Sequence, residues 1–299
     1  MSNISIVIPT YNYAAYLPRA IHSVMTQKAP EDELIIIDDG STDETSVILS
    51  HLKNQYPSIQ CYTQDNQGPG AARNQGIRLA KKEYIFFLDA DDELLENALH
   101  IFRKAIENSP EGKVFYAGHC SRELGGKTRT HQMAVIKENN KLNFLAFLRK
   151  KIGISHGAIL FHREVFERIS YPEILRGAED IPVFAHALAL FKGERVSSPT
   201  VMVHKHEDSL RHQHHLDLSL EFSLVDLIFD ETILPPFLMK YGKEYFSRRC
   251  LSLFRAYYVK REYKKARQYY HRAVRNHFKT LCAYSYLKKY IRSLCYFNR

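Results

Sequence analysis

The 299-residue chain is most readable at first through what it lacks. No stretch approaches the ~20 consecutive apolar residues that a bilayer-spanning helix needs. Five cysteines (Cys61, Cys120, Cys250, Cys282 and Cys295) are odd in number and form no C-x-x-C pair. They read as reduced thiols in a cytoplasmic protein. The first apolar run, Ile4 to Ile8, is preceded by no basic segment and no long apolar segment, so no secretory leader is expected. No G-x-G-x-x-G follows a strand, which argues against a dehydrogenase. No low-complexity linker and no exact repeat occurs, although Tyr245 to Lys279 has the spacing of one helical-repeat hairpin, with Ala266, Tyr270 and Ala273 on one face. Acids nearly vanish from the last fifth. Lys240 to Arg299 holds 17 Lys/Arg against Glu244 and Glu262, a balance of +15, while the preceding residues balance at −6. The same basic stretch holds 11 of the 19 tyrosines. Two parts with different partners are implied.

A hydrophobic content of 45% over this length supports one large or two small domains with a buried core. Ser5 to Pro9 reads as a strand ended by proline, Thr10 to Tyr13 as a loop, and Tyr16 to Thr26 as a helix. Leu34 to Ile37 is a second strand. It ends in Asp38-Asp39-Gly40-Ser41-Thr42-Asp43, where Ser41 or Asp43 can cap a helix with Val47, Ile48 and Leu52 inside. Ile59 to Thr63 is a third strand, and Gly68-Pro69-Gly70 opens another helix. Tyr84 to Leu88 is continuously apolar, as expected of a strand buried on both faces. This alternation implies a mostly parallel, doubly wound α/β sheet. Farther on, Val114 to Gly118, Gly157 to Phe161 and Thr200 to His204 read as strands, with a helix after Gly177 to Pro182. The chain from Leu216 onward reads as helical, broken at Pro235-Pro236.

The organising stretch is Asp89-Ala90-Asp91-Asp92, at the carboxyl end of the fourth strand, where open α/β sheets bind ligands. Three acids this close repel one another, and with Glu93 they exceed what a helix cap needs. Oxygen-only ligands favour Mg²⁺ or Mn²⁺, ions that share their shell with substrate phosphates. Asp39 ends the second strand in the same way. It either accepts a hydrogen bond from a base or ribose or serves its own turn. Gly68-Pro69-Gly70 can present backbone N–H groups to an anion, with Arg73 adding a cation. Glu179-Asp180 stands at a helix start, either as a cap or as a general base. Of the histidines His204, His206, His212, His214 and His215, His206 is the candidate ligand. Without a nearby thiolate or an H-E-x-x-H pattern they do not make a zinc centre.

The stretches Val7-Ile8-Pro9-Thr10-Tyr11-Asn12, Asp38 to Asp43, Gly68 to Asn74, Asp89 to Asp92 and Gly177 to Asp180 together resemble the family-two glycosyltransferases, over about residues 3 to 212. The resemblance implies a GT-A, Rossmann-like fold in residues 1–215. Residues 1–105 would form a nucleotide-binding half and 106–215 an acceptor half, followed by a basic, tyrosine-rich helical region at 216–299. It implies inverting, hexosyltransferase-type transfer from a nucleoside diphosphate sugar, with uridine as the default base. The acceptor would be a hydroxyl of a glycan or lipid-linked molecule in cell-surface polysaccharide synthesis. The nucleotide would be held by Pro9, Tyr11, Asn12, Asp39, Gly68, Arg73, Asp89 and Ala90. Mn²⁺ or Mg²⁺ would be held by Asp89, Asp91, Asp92 and His206. Asp180 matches the family's base, with Glu179 as the alternative. The family's R-x-H-x-x-S element reads His204-Lys205-His206-Glu207-Asp208-Ser209 here, so His204 replaces the arginine.

Competing classes are a nucleotidyltransferase and a non-catalytic sugar-nucleotide binding or membrane scaffold protein. The first usually needs a glycine-rich loop with a lysine or arginine where P-T-Y-N stands; the second fits poorly with the retained Asp180. No nucleic-acid motif is present, so no nucleic-acid partner is expected. Residues 240–299 are expected to hold the protein peripherally at the inner face of a membrane.

Overall fold

The computed structural model describes residues 2–206 and 218–295. The chain divides into two compact units, Met1–His214 and His215–Arg299. In the first unit nine strands form one sheet: β1 (Ile4–Thr10), β2 (Glu33–Asp38), β3 (Ile59–Thr63), β4 (Tyr84–Phe87), β5 (Glu93–Leu94), β6 (Val114–Arg122), β7 (Thr128–His131), β8 (Ile159–His162) and β9 (Gly193–His204). The order is β3-β2-β1-β4-β8-β6-β9-β5, with β7 added to β6. The first four strands pair in parallel. β8 enters antiparallel between β4 and β6, and β6 pairs in parallel with β9.

Strands β1, β2 and β4 have their expected places because their side chains alternate between two buried layers. Ile4, Ile6 and Ile8 of β1 face one layer with Leu34 and Ile36, and Tyr84 and Phe86 of β4 join them. Val7, Ile35, Ile37, Ile85 and Phe87 face the other. Helices α1 (Leu17–Met25), α2 (Thr45–Gln55) and α4 (Ala98–Asn108) cover the first layer, and α3 (Pro69–Leu79) and α6 (Asp180–Leu190) the second. α5 (Asn140–Leu148) begins at the Asn139 side chain, which accepts from the Leu142 N–H. On α2 the inner face differs from expectation. Leu49 and Leu52 are buried, Ile48 is half-buried and Val47 is 53% exposed. The acids after β4 do not start a helix; a short strand, β5, comes first and pairs with β9. The β6 and β9 strands are longer than expected. β7 and α5 carry no strong periodicity; β7 is fully exposed, so no alternation marks it.

The second unit holds α7 (Leu218–Ile228), α8 (Pro236–Met239), α9 (Gly242–Val259), α10 (Tyr263–Asn276) and α11 (Tyr284–Leu294). α10 buries Tyr263, Ala266, Tyr270 and Ala273. Ala266, Tyr270 and Ala273 pack with Cys250, Leu251, Phe254 and Tyr257 of α9. Most tyrosines of the basic stretch build or pack against this core or are otherwise buried. Tyr270 stacks on Tyr290 at 4.3 Å, and Tyr257 on Tyr269 at 5.5 Å. Arg272 caps a third ring pair, 4.3 Å from Phe222 and 5.0 Å from Phe246. Among the described residues no helix is long and apolar enough to cross a membrane.

Candidate active site

The carboxyl ends of β1, β2 and β4 open into a cavity of about 630 Å³. Its lining includes Pro9, Tyr11, Asp39, Gly68, Arg73, Asp89, Ala90, Asp91, Asp92, Glu179 and Asp180. Eleven of the thirteen candidate residues therefore meet around one space, although they come from segments far apart in the chain. The other two, Asn12 and His206, are not among its lining residues.

Asn12 is one of those two. Its Oδ1 accepts from the backbone N–H of Thr42 at 2.7 Å and of Asp43 at 3.3 Å, and its own N–H donates to Ser41 Oγ at 2.9 Å. It therefore ties the loop after β1 to the loop after β2 instead of facing the cavity, and it does so in a left-handed conformation, φ 57°. Asp39 is buried and largely engaged. Its Oδ1 accepts from Gln64 Nε2 at 2.8 Å and Gln67 N at 3.0 Å, and its Oδ2 from Gly68 N at 2.7 Å. Each carboxylate oxygen has two acceptor sites, so Oδ2 keeps one for a ligand. Asp39 therefore does not serve its own turn, where Asp38 Oδ1 accepts from Ser41 N; it fixes the start of α3 and borders the cavity. Asp43 stands one residue before the N-cap position, Glu44, and its Oδ1 accepts from the first helical N–H of α2, Thr45 N, and from Thr45 Oγ1.

Arg73 is the hub. α3 brings it inward because the helix lies close on β1, where a Cβ on Gly76 would stand 2.3 Å from Val7 Cγ1. The buried guanidinium donates to Glu179 Oε1 at 2.5 Å and Asp89 Oδ1 at 2.8 Å, and lies 5.6 Å from the Tyr171 ring. Burial alone would lower its pKa; Asp89 and Glu179 outweigh that and raise it. The cation expected beside the acid cluster is thus in part the protein's own. Arg73 also occupies Glu179, leaving Asp180, the first residue of α6, as the acid at the helix start. Burial, then Glu179 and Asp89, lift Asp180 to about 7, against the pull of Arg73.

Asp91 lies beside Asp89 and accepts or shares a proton with His206 Nε2 at 2.8 Å. Burial and the neighbouring Asp89 raise Asp91, while the His206 hydrogen bond opposes them. His206 stacks on Tyr16 at 4.5 Å, and its Nδ1 is buried with no partner among the described residues. Asp92 Oδ1 accepts from His204 N at 3.1 Å, tying β9 to the acidic loop. Glu93 meets His204 Nε2 at 3.0 Å, and Arg19 donates to the Asp91 carbonyl. Burial, then Arg19, lowers His204, so this position supplies no fixed positive charge like the arginine it replaces. Among the described residues no group of three or more His, Cys, Asp or Glu forms a ready metal cage. The donor set nevertheless fits a hard divalent ion that keeps waters and phosphate ligands. Asp89 and Asp91 stand together with their repulsion only partly relieved, and His206 carries an orphaned buried nitrogen. Ser209, Arg211, His212, His214 and His215 lie outside the described residues.

Several lining residues escaped the sequence reading: Asn66, His156 and Arg176. Arg176 donates to Asn66 Oδ1 at 2.5 Å across the cavity mouth. Burial, then Arg73, pushes His156 down to about 3, so it is a neutral imidazole. Nothing local marks His156 in the sequence; only packing against Phe87, Tyr171 and Phe184 brings it there.

A family model described as glycosyl transferase family 2 matches residues 5–170, more than half of the chain. The chain belongs to that family. It is 48% identical over 172 residues to an uncharacterized glycosyltransferase of Nostoc sp., covering 56% of this chain and 52% of that protein. It is 33% identical over 182 residues to the GalNAc(5)-diNAcBac-PP-undecaprenol beta-1,3-glucosyltransferase of Campylobacter jejuni, covering 60% of this chain and 58% of that one. The chain thus spans just over half the length of these two relatives. Among solved structures, S. aureus TarS residues 1–349 in complex with UDP-GlcNAc superposes with a TM-score of 0.71, over 97% of this chain and 89% of that chain, at 18% identity. That likeness shows the GT-A fold. In this family 2 member, the fold places the acids of the β4 loop and of the α6 start around one cavity.

Proposed function

We propose that the chain is an inverting glycosyltransferase that moves a sugar from a nucleoside diphosphate donor, in first place a UDP-sugar, to a hydroxyl of a glycan or lipid-linked acceptor. The observation that carries this is the single cavity shared by the strand-end residues Pro9, Tyr11, Asp39, Asp89 and Asp91 and by the Glu179-Asp180 pair. Its volume of about 630 Å³ suits a nucleotide-sugar. The TarS complex with UDP-GlcNAc and the undecaprenol-linked name of the Campylobacter relative support the donor and acceptor classes. Residues 1–105 hold the nucleotide, 106–215 present the acceptor, and 216–299 form a separate helical region.

In this reading Pro9 and Tyr11 border the base, Asp39 Oδ2 takes a hydroxyl or imide N–H, and the start of α3 at Gly68 faces the nucleotide. Arg73 keeps Asp89 and Glu179 in position. Mn²⁺ or Mg²⁺ held by Asp89 and Asp91, with His206 beside them, would offset charge on the leaving diphosphate. Asp180 takes the proton of the acceptor hydroxyl as that oxygen bonds to the anomeric carbon and the bond to the diphosphate breaks. One displacement inverts the anomeric centre and needs no protein nucleophile. A base poised near neutrality suits that task. The reaction belongs on the cytoplasmic side, where nucleotide-sugars are made.

The test is a panel of UDP-, TDP- and GDP-sugars with Mn²⁺, Mg²⁺ or EDTA, read as nucleoside diphosphate release. Metal-dependent release is expected with at least one donor. Asp180→Asn should keep nucleotide binding and lose ~10²-fold or more in kcat. Nucleotide binding that is equal with and without metal would remove the metal reading. Full activity of Asp180→Asn alongside a dead Glu179→Gln would move the base to Glu179.

A further inference from the structure

The last helix has one face packed and one face open. α11 turns Tyr286, Leu287 and Tyr290 onto the cluster built by α9 and α10, and its Ser293 carbonyl accepts from Arg267. On the other side Tyr284 is 73% exposed and Ile291 53%. The 3-10 helix that leads in, Phe278–Cys282, leaves Phe278 72% and Leu281 47% exposed. Lys279, Lys288 and Arg292 are exposed along the same segment. On α11, Tyr284, Lys288, Ile291 and Arg292 recur at helical spacing and form one stripe. From Tyr263 to Arg299 the sequence has ten Lys/Arg and no Asp or Glu.

We propose that this face, Phe278 to Arg292, docks on an anionic lipid surface. The large apolar side chains enter the boundary between headgroups and acyl chains, and the flanking Lys and Arg meet lipid phosphates. The apolar half of the stripe favours lipid over nucleic acid. A phosphate backbone is met by cations, and four large apolar groups exposed to water add nothing to it. The charge favours lipid over a second copy of this chain. A two-fold contact would set the same acid-free face against itself. The tyrosines at large do not carry the docking, since most are core; Tyr284 is the tyrosine that stands out on this face. Docking at this face does not rest on the transfer reading, and its test needs no turnover.

Full-length protein is sedimented with vesicles of phosphatidylcholine alone, or of phosphatidylcholine with phosphatidylglycerol, at low and high salt. Co-sedimentation is expected with the anionic vesicles, weakened by salt. The Leu281→Ser/Ile291→Ser pair and the Lys288→Glu/Arg292→Glu pair, all exposed positions, should each reduce it at least ~5-fold. Each pair should leave the melting temperature unchanged. The proposal is overturned by absent co-sedimentation of the wild type, or by either folded pair binding as well as the wild type. It is overturned equally by light scattering that shows a wild-type dimer abolished by the serine pair, or by retention of the protein on duplex DNA that matches vesicle binding.

Discussion

Arg73 is a buried cation held by two carboxylates from opposite ends of the site, Asp89 after β4 and Glu179 before α6. The guanidinium fork reaches both at once, which a lysine ammonium cannot do with the same geometry. Removing it leaves two carboxylates with their common partner gone. Arg73→Met should therefore destabilise the fold by about 3–5 kcal/mol in urea unfolding, and Arg73→Lys should recover only part of that. A lysine variant as stable as the wild type would show that the fork is not what holds the two acids. This pairing could not be read from sequence, where Arg73 looks like an anion ligand after a glycine turn. Its partner Glu179 is 106 residues away. The loop-bracing bonds of Asn12 were illegible for a similar reason: a polar residue after a strand looks the same whether it faces a ligand or braces the next loop.

At the scale of elements, α3 decides how close Arg73 comes to the acids. Gly76 lets the helix lie against β1, with Val7 Cγ1 2.3 Å from where a Cβ would be. Gly76→Ala keeps helical backbone but overpacks that contact, and should cost about 1–3 kcal/mol. Val7→Ala alone leaves a void; in the double variant the two effects should partly cancel, a coupling that a double-mutant cycle measures. Simple additivity would mean that α3 has shifted off the sheet. Strands β1, β2 and β4 were legible because continuous apolar runs are local patterns, although Pro9 does not end β1, which pairs on to Thr10. β5, β7 and the 3-10 helix before β8 were not, because two to four residues carry no period to detect.

For the whole molecule, the raised acids make stability depend on pH with an unusual sign. Asp180 titrates at about 7 when folded, against an ordinary value of 3.8. Between those values the folded chain holds a proton that the unfolded chain has lost. The group's contribution is thus fully present below the unfolded value and is lost as pH rises through 7. Asp91 is raised in the same direction. Asp180→Asn abolishes its own share, so its melting temperature relative to wild type should gain more at pH 8 than at pH 5. An equal gain at both would mean that Asp180 is not raised. The residues in sequence were sufficient to place the α/β class, the parallel first half of the sheet and the acids at its edge, because each depends on side chains within a few positions of one another. Folding settled which acids share a cation, that His206 meets Asp91 across 115 residues, that His156 enters the cavity, and that the tyrosines of α9 and α10 pack inward. Those outcomes depend on which strand lies next to which and on which helix face is covered, and burial by distant elements leaves no trace in neighbouring residues.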